Sequence, residues 1–197
     1  MSVSEVQICN LALLKVGNLS ITALTDATKE GRSCNVLYPL MRSEIMASHP
    51  WNFAMARADI SAALVTAPVF GWDYAYTIPG DCLRVVELYG SDAEWVVEGA
   101  ELLTNESEEI YIRYIKLITD TARYSPSFVS CFATRLAAEL AGKLCDDKNL
   151  RASLLQELYK VELPNAYNLN TMEGNRPRST DEQPLDTGNF TFQTEGR

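Results

Sequence analysis

The chain has a single histidine, His49, and little positive charge: 17 Lys and Arg stand against 26 Asp and Glu, a formal net charge of -9. One histidine rules out a histidine metal cluster, and any hydrolytic triad would have to be built on that residue. The ten glycines include no GxGxxG and no GxxxxGK[ST], and no serine sits in a GxSxG elbow. Nothing in the pattern therefore points to a phosphate-cradling loop or an activated serine. The shortage of Lys and Arg argues against nonspecific binding to nucleic acid or acidic membranes, which needs clustered positive charge. The five cysteines, Cys9, Cys34, Cys82, Cys131 and Cys145, form no CxxC pair and are odd in number. They read as reduced thiols among apolar neighbours, as expected of folding in a reducing compartment. Glu5 and Lys15 bracket the first apolar stretch, no basic leader precedes it, and no apolar run approaches the length of a membrane span. No metal or cofactor is expected.

What is present is strong periodicity. Over 4–16, Val6, Cys9, Leu13 and Val16 share a helical face that Ile8, Leu11 and Leu14 widen, with Gly17 placed for a left-handed stop. A second helix is predicted from Ala27 to Ser48, with Cys34, Leu37, Tyr38, Met41 and Ile45 on one face and Pro50 as its stop. Trp51, Phe53 and Met55 then alternate with small or polar residues, as in a strand that Ala58–Val65 could extend. After the loop APVFGW come YAYTIP, the turn Pro79-Gly80-Asp81, and short strands in LRVVELYG, EWVVEG and EIYIRYIK. The doubled Val85 and Val86 break the alternation and predict a bulge or a strand covered on both faces. Phe128, Phe132, Leu136, Leu140 and Leu144 step by four in a third helix, which Asp146-Asp147 ends. Leu150, Leu154, Leu158 and Val161 define a fourth, which Pro164 should kink or end, although LPNAYNLNTM could form a further turn or two.

Helices at both ends and strands between them mean α+β. The expected architecture is a four-helix bundle made by the N- and C-terminal helix pairs (1–50 and 125–170), with a small antiparallel β subdomain inserted at 51–124. From 171 to 197 the chain turns polar and is read as an extended arm: on its own it offers too little apolar surface to offset an ordering cost of roughly 1–2 kcal/mol per residue. Phe190 and Phe192 alternate within GNFTF and suggest an anchor for a partner's groove or sheet edge.

Three groups could carry chemistry. His49, before Pro50, reads as a helix C-terminal residue that interacts favourably with the helix dipole, and not as a catalyst. Glu106, Glu108, Glu109, Asp146 and Asp147 could supply a pair of carboxylates, but all fall in polar loops or at a helix end rather than in an apolar pocket. The aromatics Trp51, Phe53, Phe70, Trp72, Tyr74, Tyr76, Trp95, Tyr111 and Tyr114 read as core and interface packing, because too few cations accompany them for a nucleic-acid platform.

Several runs, in this order, resemble the tail tubular protein A family of short-tailed phages: NLALLKVGNLSITAL, SHPWNFAMAR, WDYAYTIPGDCLRVVEL and PSFVSCFATRLAAELAGKLCDD. The most specific run extends from Tyr74 to Val85. The resemblance covers about 1–172. It implies a non-enzymatic virion protein at the head–tail junction: an adaptor ring, usually dodecameric, between the portal protein and the tail nozzle protein. It also implies that genomic DNA passes through the ring without sequence-specific binding, and that the C-terminal arm docks on the portal. Arg176, Arg178, Asn189, Phe190 and Phe192 are the candidate arm contacts. An acidic conduit that repels DNA is compatible with that picture. A glycan hydrolase on the same fold is the alternative, because some relatives have been credited with such activity; a small regulatory binding module is a third reading.

Overall fold

A computed structural model describes residues 3–64, 66–107 and 109–173. The elements run α1 (Glu5–Lys15), α2 (Lys29–Ser48), β1 (Met55–Asp59), β2 (Tyr74–Thr77), β3 (Cys82–Leu88), β4 (Trp95–Glu98), β5 (Glu101–Thr104), β6 (Tyr111–Lys116), α3 (Pro126–Leu140), α4 (Lys148–Glu157) and α5 (Leu163–Met172). The class is α+β.

Local chemistry sets the helix ends. Ser4 and Gln7 form a reciprocal capping box on α1, and Gly17 closes that helix at φ +70°. The Thr28 hydroxyl accepts from the Gly31 N–H at the start of α2. Ser125 caps α3, with Pro126 at the first helical position, where a missing N–H costs nothing. A π-turn (Ala141–Cys145) extends α3 before Asp146 turns left-handed, and Asp147 accepts from the Asn149 and Leu150 N–H groups to start α4. Pro164 does not end the last helix. A second π-turn, Leu158–Glu162, lies just before it and joins α4 to α5 in one rod. The widened turn takes up the clash that a proline ring makes with the preceding turn.

The expected four-helix bundle with a small β insert is not what forms. The helical part is three rods, α1, α2 and the continuous α4–α5, arranged around α3, and α1 packs mainly on α3 rather than pairing with α2. The cause lies in the composition of α3. Phe128, Val129, Cys131, Phe132, Ala133, Leu136, Ala137, Ala138 and Leu140 are all buried, so apolar residues occupy nearly its whole circumference. A bundle corner buries one stripe, whereas a helix that is apolar all round must sit at the centre. The β part is two three-stranded antiparallel sheets, β1-β6-β3 and β2-β5-β4, and not one small sheet. Strand β5, the centre of the second sheet, is absent from the pattern reading, as is the 3-10 turn Asn52–Ala54 where strand alternation was expected. The bulge anticipated in β3 is present, with register shifts between Cys82 and Arg84 and between Val85 and Glu87.

Two cores result. The larger joins the helices to the Ile115 and Ile118 end of the strands and contains the fully buried Trp51, whose indole N–H donates to the Ile45 carbonyl at 3.0 Å. The smaller lies where the sheets meet, with Val85, Leu88, Ile112 and Tyr114 from one and Tyr76 and Leu102 from the other. A charged chain crosses the helices: Glu44 of α2 accepts two hydrogen bonds from Arg135 of α3, at 3.0 and 3.1 Å, and Glu139 accepts from Arg135 and from Arg151 of α4. Burial pushes the Glu139 carboxyl upward, but the two guanidinium groups outweigh it and hold the group below the usual carboxylate range.

Candidate interaction surfaces

The arm residues named from the sequence, Arg176, Arg178, Asn189, Phe190 and Phe192, lie outside the described residues. What is described is the place from which that segment departs, and three surfaces with exposed apolar or aromatic groups.

The first surface is the connection between β1 and β2. Its start is pinned by Ser61, whose hydroxyl accepts from the Ile110 N–H at 2.8 Å while its own N–H donates to Asp59 at 2.9 Å. Further on, Ala63 bridges to Tyr76 and the Leu64 N–H donates to the Ala75 carbonyl at 2.8 Å, so the segment runs along the edge of the second sheet. Beyond that anchor the chain swings out. Val69 is 97% exposed and Phe70 86%, next to Gly71 at φ +83°. Phe70 is therefore not a core residue of this chain; of the core and interface packing expected for the aromatics, only the interface part is left open to it. Between this loop and the β4–β5 turn lies an open groove of about 1000 Å³, bounded by Leu64, Pro68, Trp72, Ala75, Glu98 and Leu103. A valine and a phenylalanine held in water forgo roughly 1.5–3 kcal/mol each of burial free energy, which is what a partner surface could recover.

The second surface is the outer face of the first sheet. Arg57 and Arg113 stand directly opposite on β1 and β6, a pairing that repels unless neutralised. Glu87 accepts from Arg113 at 2.8 Å, and the Arg57 guanidinium lies 6.0 Å from the centre of the Tyr89 ring. Tyr89 and Tyr111 flank a pocket of about 350 Å³ here. The Tyr111 hydroxyl donates to Glu109 at 2.6 Å, and that hydrogen bond raises its pKa.

The third is the helical exterior: Leu11, Leu14 and Leu19 near α1, Val36 and Leu40 on α2, and Tyr159, Val161, Leu169 and Met172 on the last rod are all exposed.

The corner that follows α2 is where the last helix docks. The His49 ring stacks on Tyr167 with centroids 4.0 Å apart and meets Trp51 edge-on. Burial first, and then the positive Arg84, push the His49 pKa down. Both effects favour the neutral imidazole over the imidazolium.

Asp146 is the left-handed residue after the first π-turn, Asp147 is the cap of α4, and Glu109 is engaged by Tyr111; Glu108 lies outside the described residues. Cys9, Cys34 and Cys131 are buried and Cys82 is half-buried, but Cys145 is exposed, where a packed thiol was expected. Among the described residues no group of three or more His, Cys, Asp or Glu is disposed to hold a metal, and no helix is long and apolar enough to cross a membrane. No family model and no curated protein matches the chain.

The loop tip was partly legible in advance, since APVFGW is an uncharged run between Pro and Gly signals. That its phenylalanine faces water was not, because aromatic residues in a run are more often packed than displayed.

Proposed function

We propose that this chain is a structural assembly subunit, a head-to-tail adaptor of a phage virion. In this reading it forms a ring, of about twelve copies by family resemblance, between the portal protein and the tail nozzle. Its C-terminal segment engages the portal, and DNA passes through the ring without being read. The observation that carries the reading is that exposed apolar groups lie on several separate elements (the Val69–Phe70 loop tip, α1, α2 and the last rod) instead of lining one cleft. A subunit with neighbours on both sides and partners above and below needs that distribution, whereas an enzyme acting alone needs a single concave site. The net charge of -9 is compatible with a conduit along which DNA slides. The resembling runs, from NLALLKVGNLSITAL to PSFVSCFATRLAAELAGKLCDD, add to the same reading.

The test is sedimentation velocity of the purified protein, first alone and then mixed with purified portal. Conversion to a ring-sized complex with portal is the expected result. The Phe190→Ala, Phe192→Ala double variant should keep its fold and lose docking. A chain that ignores portal, or a double variant that docks as well as the parent, would overturn the corresponding part of the proposal.

A further inference from the structure

The end of α5 is fastened to the corner after α2 by one side chain. The Asn170 amide oxygen accepts from the Asn52 N–H at 2.9 Å. Its amide nitrogen donates to the Pro50 carbonyl at 3.3 Å and lies 3.2 Å from Nε2 of His49. The Asn170 backbone carbonyl accepts from the Asn52 side-chain amide at 2.6 Å, and that amide also reaches Glu173 at 3.3 Å. Asn170 is buried, one of few polar side chains that are among the described residues.

These contacts fix the protonation of the histidine. The Asn170 amide cannot be turned over, because its oxygen must face a backbone N–H and its nitrogen a backbone carbonyl. An amide nitrogen only donates, so Nε2 of His49 must carry a lone pair and the ring proton must sit on Nδ1. A protonated imidazole would place an N–H against the Asn170 NH₂, two donors face to face, with Asn170 itself buried and tied to the Asn52 N–H and the Pro50 carbonyl.

We infer that Asn170 and His49 form a proton-operated latch: with His49 neutral it holds the last turn of α5 on the 49–52 corner, and protonation of His49 releases that turn together with Glu173. The groups facing the histidine are consistent with this. Arg84 on β3 adds a like charge that disfavours the imidazolium, and Tyr167 offers a ring face. Glu173, one turn on, is tied to Asn52. The sign follows by linkage. The depressed folded pKa means that the unfolded chain binds more protons between that value and the ordinary histidine value of about 6.5, so the latch's contribution is complete above the ordinary value and is lost as the pH falls through the folded one. The latch stands on its own geometry; only its consequence for partner docking rests on the adaptor reading.

Because the chain has one histidine, imidazole ¹⁵N shifts of the full-length protein report it without ambiguity. The expected result is the Nδ1–H tautomer at neutral pH and a pKa below that of an unfolded histidine. Amide protection in 163–172 should fall in acid by about tenfold per unit of pKa depression, while α3 keeps its protection. Asn170→Asp supplies an acceptor in place of the donor and should move the His49 pKa upward. His49→Phe keeps a ring for Tyr167 to stack on and should abolish the acid-specific loss of protection in α5. An Nε2–H tautomer, or α5 protection indifferent to the protonation of His49, would overturn the latch. If the latch behaves as stated and portal still binds equally at both pH values, the link to docking fails and the latch stands.

Discussion

Gly31 shows how one missing methylene shapes the start of α2. A Cβ built there would lie 2.6 Å from the Asp26 carbonyl oxygen and 2.9 Å from its Cβ, too close for any residue but glycine. Asp26 cannot easily give way. Its carboxylate accepts from the Thr22 N–H at 2.7 Å and the Ala23 N–H at 3.2 Å, and those bonds hold its pKa below the usual carboxylate range. Gly31→Ala is therefore expected to cost about 1–3 kcal/mol, as overpacking does, despite alanine's better helix propensity. A urea midpoint that rises in the variant would show that the 22–26 turn yields freely. The sequence gives no hint of this constraint, since a glycine in a helix's first turn looks only like a weak helix former. His49 is a parallel case. Its position before Pro50 was legible, but the burial and the Arg84 charge that push its pKa down come from parts of the chain distant in sequence.

At the scale of elements, α3 bears the helical core. Leu136 is fully buried within it, in a helix that the other helical rods cover. Leu136→Ala should cost about 2–5 kcal/mol, because surroundings closed on several sides cannot collapse into the cavity. Chemical denaturation followed by far-UV circular dichroism would measure it, and a loss below about 1 kcal/mol would mean that α3 is less enclosed than described. The spacing of apolar residues located this helix almost to the residue. It did not reveal its central position, because the stepped Phe and Leu residues stand out while the alanines between them, Ala133, Ala137 and Ala138, are easily passed over as neutral. Those small residues are what allow neighbouring helices to approach on the remaining sides. The strand β5 escaped for the opposite reason. Four residues, Glu101–Thr104, are too few to establish alternation, and only its two neighbours on either side make it a strand.

For the molecule as a whole, the balance between what is buried and what is displayed matters most. Val69 and Phe70 contribute nothing to either core, so a Val69→Ser, Phe70→Ser double variant should stay within about 0.5 kcal/mol of the parent in stability. Under the adaptor reading the same variant should sediment as smaller species when mixed with its partners. An unchanged complex would remove the loop from the assembly surface, and a large loss of stability would mean that the loop packs on its own chain. The sequence by itself determined the starts of the helices, the stop of the second at Pro50 and the α+β order, and it marked the irregularity in β3. Each of those is set within a few residues by capping groups, prolines and periodicity. Tertiary structure decided that α3 sits at the centre, that the strands divide into two sheets with a second core, that Phe70 faces water and that the His49 pKa is pushed down. Each of these depends on surfaces and hydrogen-bond partners brought together from far apart along the chain, and no local pattern encodes which of the available apolar faces will be covered.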